Sequence, residues 1–184
     1  MERARVAVAG SESESFDELV RRHRPRVFRF LLASLRNRET AENLTQDCFL
    51  RAYQARAQFR GAASAATWFL RIAANLVRDH ESSGRLKFWR RSLDSAADVA
   101  DLGAAIADRQ QSPEDAALVR DQVQAIWKVA ANLPARQRTV LLLRFVEDMD
   151  VLEIAEVTGM KEGTVKVHLF RALNAVRARL EAEK

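Results

Sequence analysis

Two short apolar periodicities that meet at one glycine constrain this chain more than any other feature. In the stretch Val151 to Thr158, Ile154, Ala155 and Val157 give a short helix a buried side. Gly159 follows and supplies the positive φ that a tight turn between helices commonly needs. A second helix opens near Gly163 and Thr164, with Val165, Leu169 and Leu173 at helical spacing to hold it down. Ala155 is small at the point where the second helix has to cross the first. Lys161, Glu162, Thr164, Lys166, His168 and Arg171 are left on or near the outward side. This is the pattern of a helix-turn-helix, which offers the N-terminal part of its second helix to the DNA major groove. An αα-corner in a helical core is the plainer alternative.

The rest of the chain has to be compatible with that unit. Its 184 residues suffice for one domain or two small ones, and 48% hydrophobic content allows a proper core. Only 6 Gly and 3 Pro occur, while Ala, Leu, Arg and Glu are abundant, so the chain is expected to be mostly helical. The formal net charge of +5 resides in residues 1–85, the remainder being balanced, which fits a polyanionic partner. The single cysteine, Cys48, rules out an internal disulfide and a cysteine-rich metal site. With Leu44, Phe49 and Ala52 around it, Cys48 reads as a buried helical thiol acting as a small hydrophobe. No apolar run approaches the roughly 18 residues of a membrane span, and Val6 to Ala9 is too short for a signal sequence. A cytoplasmic protein with no membrane insertion is expected.

Two helical blocks and a connector emerge along the chain. Residues 1–14 read as a disordered tail. Ser15 and Glu18 form a capping box that starts a first helix, and Pro25 is placed to open a second one through Val27, Phe30 and Leu35. A turn at Asn37 and Arg38 leads to a long helix from about Glu39 to Gln58, with Leu44, Cys48, Phe49, Ala52 and Tyr53 as its stripe. A loop from Phe59 to Ala63 precedes a helix from Ser64 to Ser82 that is expected to bury Trp68, Phe69, Ile72 and Leu76. Residues 15–84 thus read as one bundle and 85–111 as a flexible linker. Residues 112–184 read as a second unit with helices near 113–132, 134–147, 151–158 and 162–181.

The ordered pair of blocks resembles the extracytoplasmic-function sigma factors, the two-domain type within the sigma-70 superfamily, from about Phe16 to Leu180. The resemblance rests on Ala41 to Tyr53, Phe59-Arg60-Gly61 with Thr67 to Asn75, and Leu133 to Arg144 joined to Gly163 through Lys166. It implies an all-α fold of two small helical domains, a region 2 bundle and a region 4 helix-turn-helix, joined by the linker. It also implies a transcription initiation factor that binds core RNA polymerase at the largest-subunit clamp helices and flap region. Promoter DNA would be bound both as duplex and as single strand, and an anti-sigma factor is a further implied partner.

Residue by residue, the resemblance places polymerase docking on Asn43, Gln46, Asp47 and Arg51. Asn43 stands where the family usually has Asp. Capture of the melted minus-ten element falls to Phe59, Arg60, Gly61, Arg71, Asn75 and Arg78. Arg71, Asn75 and Arg78 are spaced i, i+4 and i+7 and are expected on one helix face opposite Trp68 and Ile72. Readout of the minus-thirty-five element falls to Thr164, Lys166, His168 and Arg171, with Lys161 and Arg138 as phosphate contacts. Val167 and His168 stand where the family often has Ser and Arg, so promoter preference does not transfer simply. Phe88 and Trp89 in the linker receive no role. No cofactor, metal or catalytic residue is expected, since His23, His80 and His168 lie far apart and no phosphate loop or nucleophile elbow occurs. The competing class is a dimeric helix-turn-helix regulator acting alone on duplex DNA.

Overall fold

Several of the helices begin where the sequence supplies a side-chain cap. The computed structural model describes residues 15–59, 64–82, 129–130 and 132–182. Helix α1 runs Phe16–Leu35. Ser15 Oγ accepts from the Glu18 amide at 3.3 Å, and the Glu18 carboxylate accepts from the Ser15 amide at 2.9 Å, the reciprocal cap expected there. The Ser15 amide first, and then the Ser15 hydroxyl, which donates to the same carboxylate at 3.0 Å, hold the Glu18 carboxyl below its ordinary pKa.

Pro25 does not open a new helix. It lies inside α1, which continues unbroken to a left-handed cap at Arg36 (φ 55°). A mid-helix proline forfeits one backbone bond, at a cost of ~3 kcal/mol. Pro25 is on the exposed side, whereas Phe16, Leu19, Val27, Phe30 and Leu31 on the other side are buried, and continuous packing of that face outweighs the lost bond.

Helix α2 spans Arg38–Ala55, with Asn37 Oδ1 accepting from the Thr40 amide at 2.7 Å, and passes into a 3-10 turn at Arg56–Gln58. Helix α3 spans Ala65–Ser82, with Ser64 Oγ accepting from the Thr67 amide at 3.1 Å. α1, α2 and α3 pack mutually around Phe30, Phe49, Phe69 and Leu70. Cys48 is fully buried there, and its thiol donates to the Phe69 carbonyl at 3.5 Å. Desolvation pushes its pKa up to about 12 against the opposing pull of Arg51.

In the C-terminal block α4 is Ala135–Phe145, α5 Val151–Thr158 and α6 Glu162–Ala182. Pro134 immediately precedes α4, whose start has no side-chain cap. α5 carries a second reciprocal cap between Asp150 and Glu153. It ends at Gly159, where φ is 68° and the amide donates to the Ala155 carbonyl at 2.9 Å. The described residues thus form six α-helices, an all-α fold. The tail 1–14, the linker 85–111 and the expected helical stretch 113–128 lie outside them.

The two blocks touch. α3 packs on α5, and α1 packs on α4. The turn between α4 and α5 is the seam: Glu147, with its side chain at 0% exposure, receives Arg26 Nε at 2.6 Å and Arg29 Nε at 3.2 Å. Arg26 Nη2 also donates to the Glu147 carbonyl at 2.7 Å. The turn is itself fixed, because the Met149 amide bonds the Leu143 carbonyl and Arg144 caps the Met149 carbonyl at 2.9 Å. A second ion pair across the seam joins Arg138 to Glu81.

Candidate nucleic-acid and polymerase interfaces

Three surfaces carry the residues singled out in the sequence. The first is the outer side of α2. Asn43, Gln46, Asp47 and Arg51 are all exposed and share that side. Leu50 sits among them at 56% exposure, a side chain the sequence reasoning passed over. Its position at i+4 from Gln46 and i+7 from Asn43 was the available signal. An exposed apolar residue framed by polar ones is the composition of a separable protein contact. Arg51 also approaches Asp79 on α3 at 3.9 Å, an exposed pair that contributes little to stability.

The second surface is α3 with the residues leading into it. Arg71 and Arg78 are exposed and Asn75 is half-buried between them, on one side of the helix. Trp68 and Ile72 are not opposite this row. Both are half-buried beside it, while Phe69, Leu70, Ala73, Leu76 and Val77 form the buried side. At about 100° per residue, Trp68 lies only about 20° from Asn75 around the helix. Phe59 stacks on Trp68, with ring centroids 4.7 Å apart and planes 26° from parallel, and Trp68 leans on Phe69 at 5.1 Å. Phe59 is therefore anchored to α3 just before the loop. Arg60 and Gly61 lie outside the described residues.

The third surface is the helix-turn-helix, α5 and α6. Lys161, Thr164, Lys166 and Arg171 are exposed on α6 and the turn before it. Val165 and Ala172 are fully buried and Leu169 and Val176 pack against the core, whereas Leu173 is exposed rather than holding the helix down. His168 is half-buried, and its Nδ1 is enclosed without a hydrogen-bond partner. Desolvation, then the charges of Arg136 and Arg171, lowers its pKa below 6.5, so the imidazole is neutral near pH 7. The middle of the outward face belongs instead to Val167, at 46% exposure, with Phe170 beside it at 66%. Arg138 is 8% exposed and occupied by Glu81, so this arrangement does not offer it to phosphate.

Among the described residues no cluster of His, Cys, Asp and Glu is arranged to hold a metal ion, and no helix is long and apolar enough to cross a membrane.

Comparison with known proteins gives these surfaces a family. The profile described as "Sigma-70 region 2" matches residues 19–87, and "Sigma-70, region 4" matches residues 124–176. The chain is 30% identical to the RNA polymerase sigma-H factor of Pseudomonas aeruginosa, over 95% of this chain and 90% of that protein. It is 31% identical to the ECF RNA polymerase sigma factor SigM of Mycobacterium tuberculosis, over 94% of this chain and 78% of the relative. In fold it is similar to the sigma factor RpoE of Bartonella quintana, solved in complex with the anti-sigma factor NepR. The TM-score is 0.61 at 20% identity, covering 92% of this chain and 98% of that one. CnrH, solved with the cytosolic domain of CnrY, matches with the same TM-score and identity. The chain belongs to the sigma-70 family of transcription initiation factors and is of the ECF type.

Proposed function

We propose that this protein binds core RNA polymerase through the outer face of α2 and directs it to promoters with two separate DNA-reading surfaces. The observation that carries the reading is the row Arg71, Asn75 and Arg78 on α3, next to the anchored Phe59. Two cations flank an amide that can pair with a base edge. That set suits an unpaired strand, with charge for the backbone and an amide and aromatic surface for the base. Taking a base out of the stack costs a few kcal/mol, which such contacts offset. No bond is made or broken; holding the melted strand of the minus-ten element is the function.

The helix α6 reads the minus-thirty-five element as duplex, Thr164, Lys166 and Arg171 facing the groove and Lys161 the backbone. His168 is placed to support the helix rather than to donate charge. Two elements about 25 base pairs apart, by their names, are separated by about 85 Å of duplex, so α3 and α5 part when both are engaged. Arg138 then leaves Glu81 and becomes available for phosphate. Two weak contacts joined through one polymerase gain from effective concentration, so the free protein binds promoter DNA poorly. The work is done in the cytoplasm, where the polymerase is, and an anti-sigma partner that covers these faces fits the same reading. Poor duplex binding by the free protein also separates this reading from a dimeric regulator.

Asn75→Ala tests it. Permanganate reactivity of promoter thymines in the reconstituted holoenzyme should fall about tenfold, the loss of a well-made polar contact of ~1.4 kcal/mol, while affinity for core polymerase stays unchanged. An equal fall in core affinity would show that Asn75 serves docking instead.

A further inference from the structure

On the reading that α6 enters the major groove, we infer that Val167 is a base-reading residue of this protein and that it recognises a thymine by its C5-methyl group. Gly163, Val167 and Arg171 follow one another at intervals of four residues and are all exposed on α6, each step drifting about 40° around the helix. Val167, between the other two, is 46% exposed. Gly163, one turn before Val167, has no side chain, and the space beside it is open, with nothing within 4 Å of where a Cβ would stand. Of its two chain neighbours, Lys166 is exposed and His168 is half-buried with Nδ1 enclosed.

The chemistry of the side chain selects the base. A valine on a helix keeps essentially one χ1 rotamer, so its methyl groups are fixed before DNA arrives. It has no donor or acceptor, and pressing it against the polar edge of guanine or cytosine leaves base atoms unpaired. Thymine alone among the four bases offers a methyl group in the major groove. The surroundings favour DNA over an apolar protein partner, because Lys161, Lys166 and Arg171 are all exposed around the patch and complement phosphate.

The test uses holoenzyme reconstituted with core polymerase. Promoters are selected from a pool randomised over the upstream element, and each thymine of the winner is then replaced singly by deoxyuridine, which lacks only the methyl group. At one position the replacement should weaken holoenzyme binding about threefold to fivefold, the worth of one buried methyl. Val167→Ala should bind the thymine and uracil versions equally, and Val167→Thr, which keeps one methyl group, should retain most of the preference. Tolerance of uracil at every position, or the same preference in Val167→Ala, overturns the inference. A fall in core affinity for Val167→Ala with the thymine preference intact overturns it too, and reassigns the patch to protein docking. If no upstream sequence is selected at all, the reading of α6 as a DNA-contacting helix fails first, and this inference with it.

Discussion

Arg26 and Glu147 lie 121 positions apart in sequence and meet with Nε 2.6 Å from Oε2, in a contact that joins the first helix to the turn before the helix-turn-helix. Arg29 completes the arrangement from the next turn of α1, so a fully buried carboxylate is held by two guanidinium groups. Burying a charge is favourable only when partners replace the water it loses, and here two do. The pair is therefore the pin by which the blocks are held together in the packed form.

Removing that carboxylate leaves two arginines facing each other. Breaking a buried pair costs roughly 3–5 kcal/mol, but Arg26 and Arg29 are each about a third exposed, so water recovers part and about 2 kcal/mol is expected for Glu147→Gln. The melting temperature should drop by roughly 4–8 °C. The radius of gyration of the free protein, measured by small-angle X-ray scattering, should rise as the blocks part. An unchanged radius would show that the apolar contact between α3 and α5 holds them without the pin.

Asp150 caps α5 through the Glu153 amide at 2.8 Å. Asp150→Ala should cost about 1 kcal/mol, seen as faster amide hydrogen exchange confined to α5. Uniformly faster exchange would mean that the cap supports the whole fold.

Cys48 should resist alkylation. With its pKa pushed up to about 12, only about one thiol in ten thousand is ionised at pH 8, against about one in ten at the ordinary value of 9.0. The folded pKa is raised, so the thiol's contribution to stability is complete below pH 9 and is lost as pH rises toward 12. Iodoacetamide at pH 8 should label Cys48 only in denaturant; rapid labelling of the native protein would contradict the packing.

His168 gives the opposite sign. Its pKa is depressed, so the unfolded chain takes up its proton first, and stability falls as pH drops below 6.5. An NMR titration should place its midpoint below 6.5. Binding to duplex DNA should change little between pH 7 and 8 on its account.

How much of this was legible in the sequence depends on the range over which each contact acts. The cap at Ser15, the turn at Gly159 and the span of α5 involve neighbours, and each was readable from residues a turn apart. Pro25 reads locally as a helix start, whereas the benefit of an unbroken α1 comes from helices that meet it only in the folded protein. On α6 the stripe Val165, Leu169 and Leu173 runs in steps of four. Each step drifts about 40°, so Leu173 ends about 80° from Val165 and faces outward. That drift gave His168 to the outer face and hid Val167. The bond from Arg26 to Glu147 left no local trace, and Arg138 looked available only because Glu81 is 57 positions away.

Transcription in vitro, with core polymerase and fragmented genomic DNA of the source organism, with and without this protein, decides whether the protein directs promoter choice. New start sites preceded by two shared elements should appear only when the protein is added and should depend on Asn75. Absence of any new start site, together with tight binding of duplex DNA by the protein alone, would contradict that role.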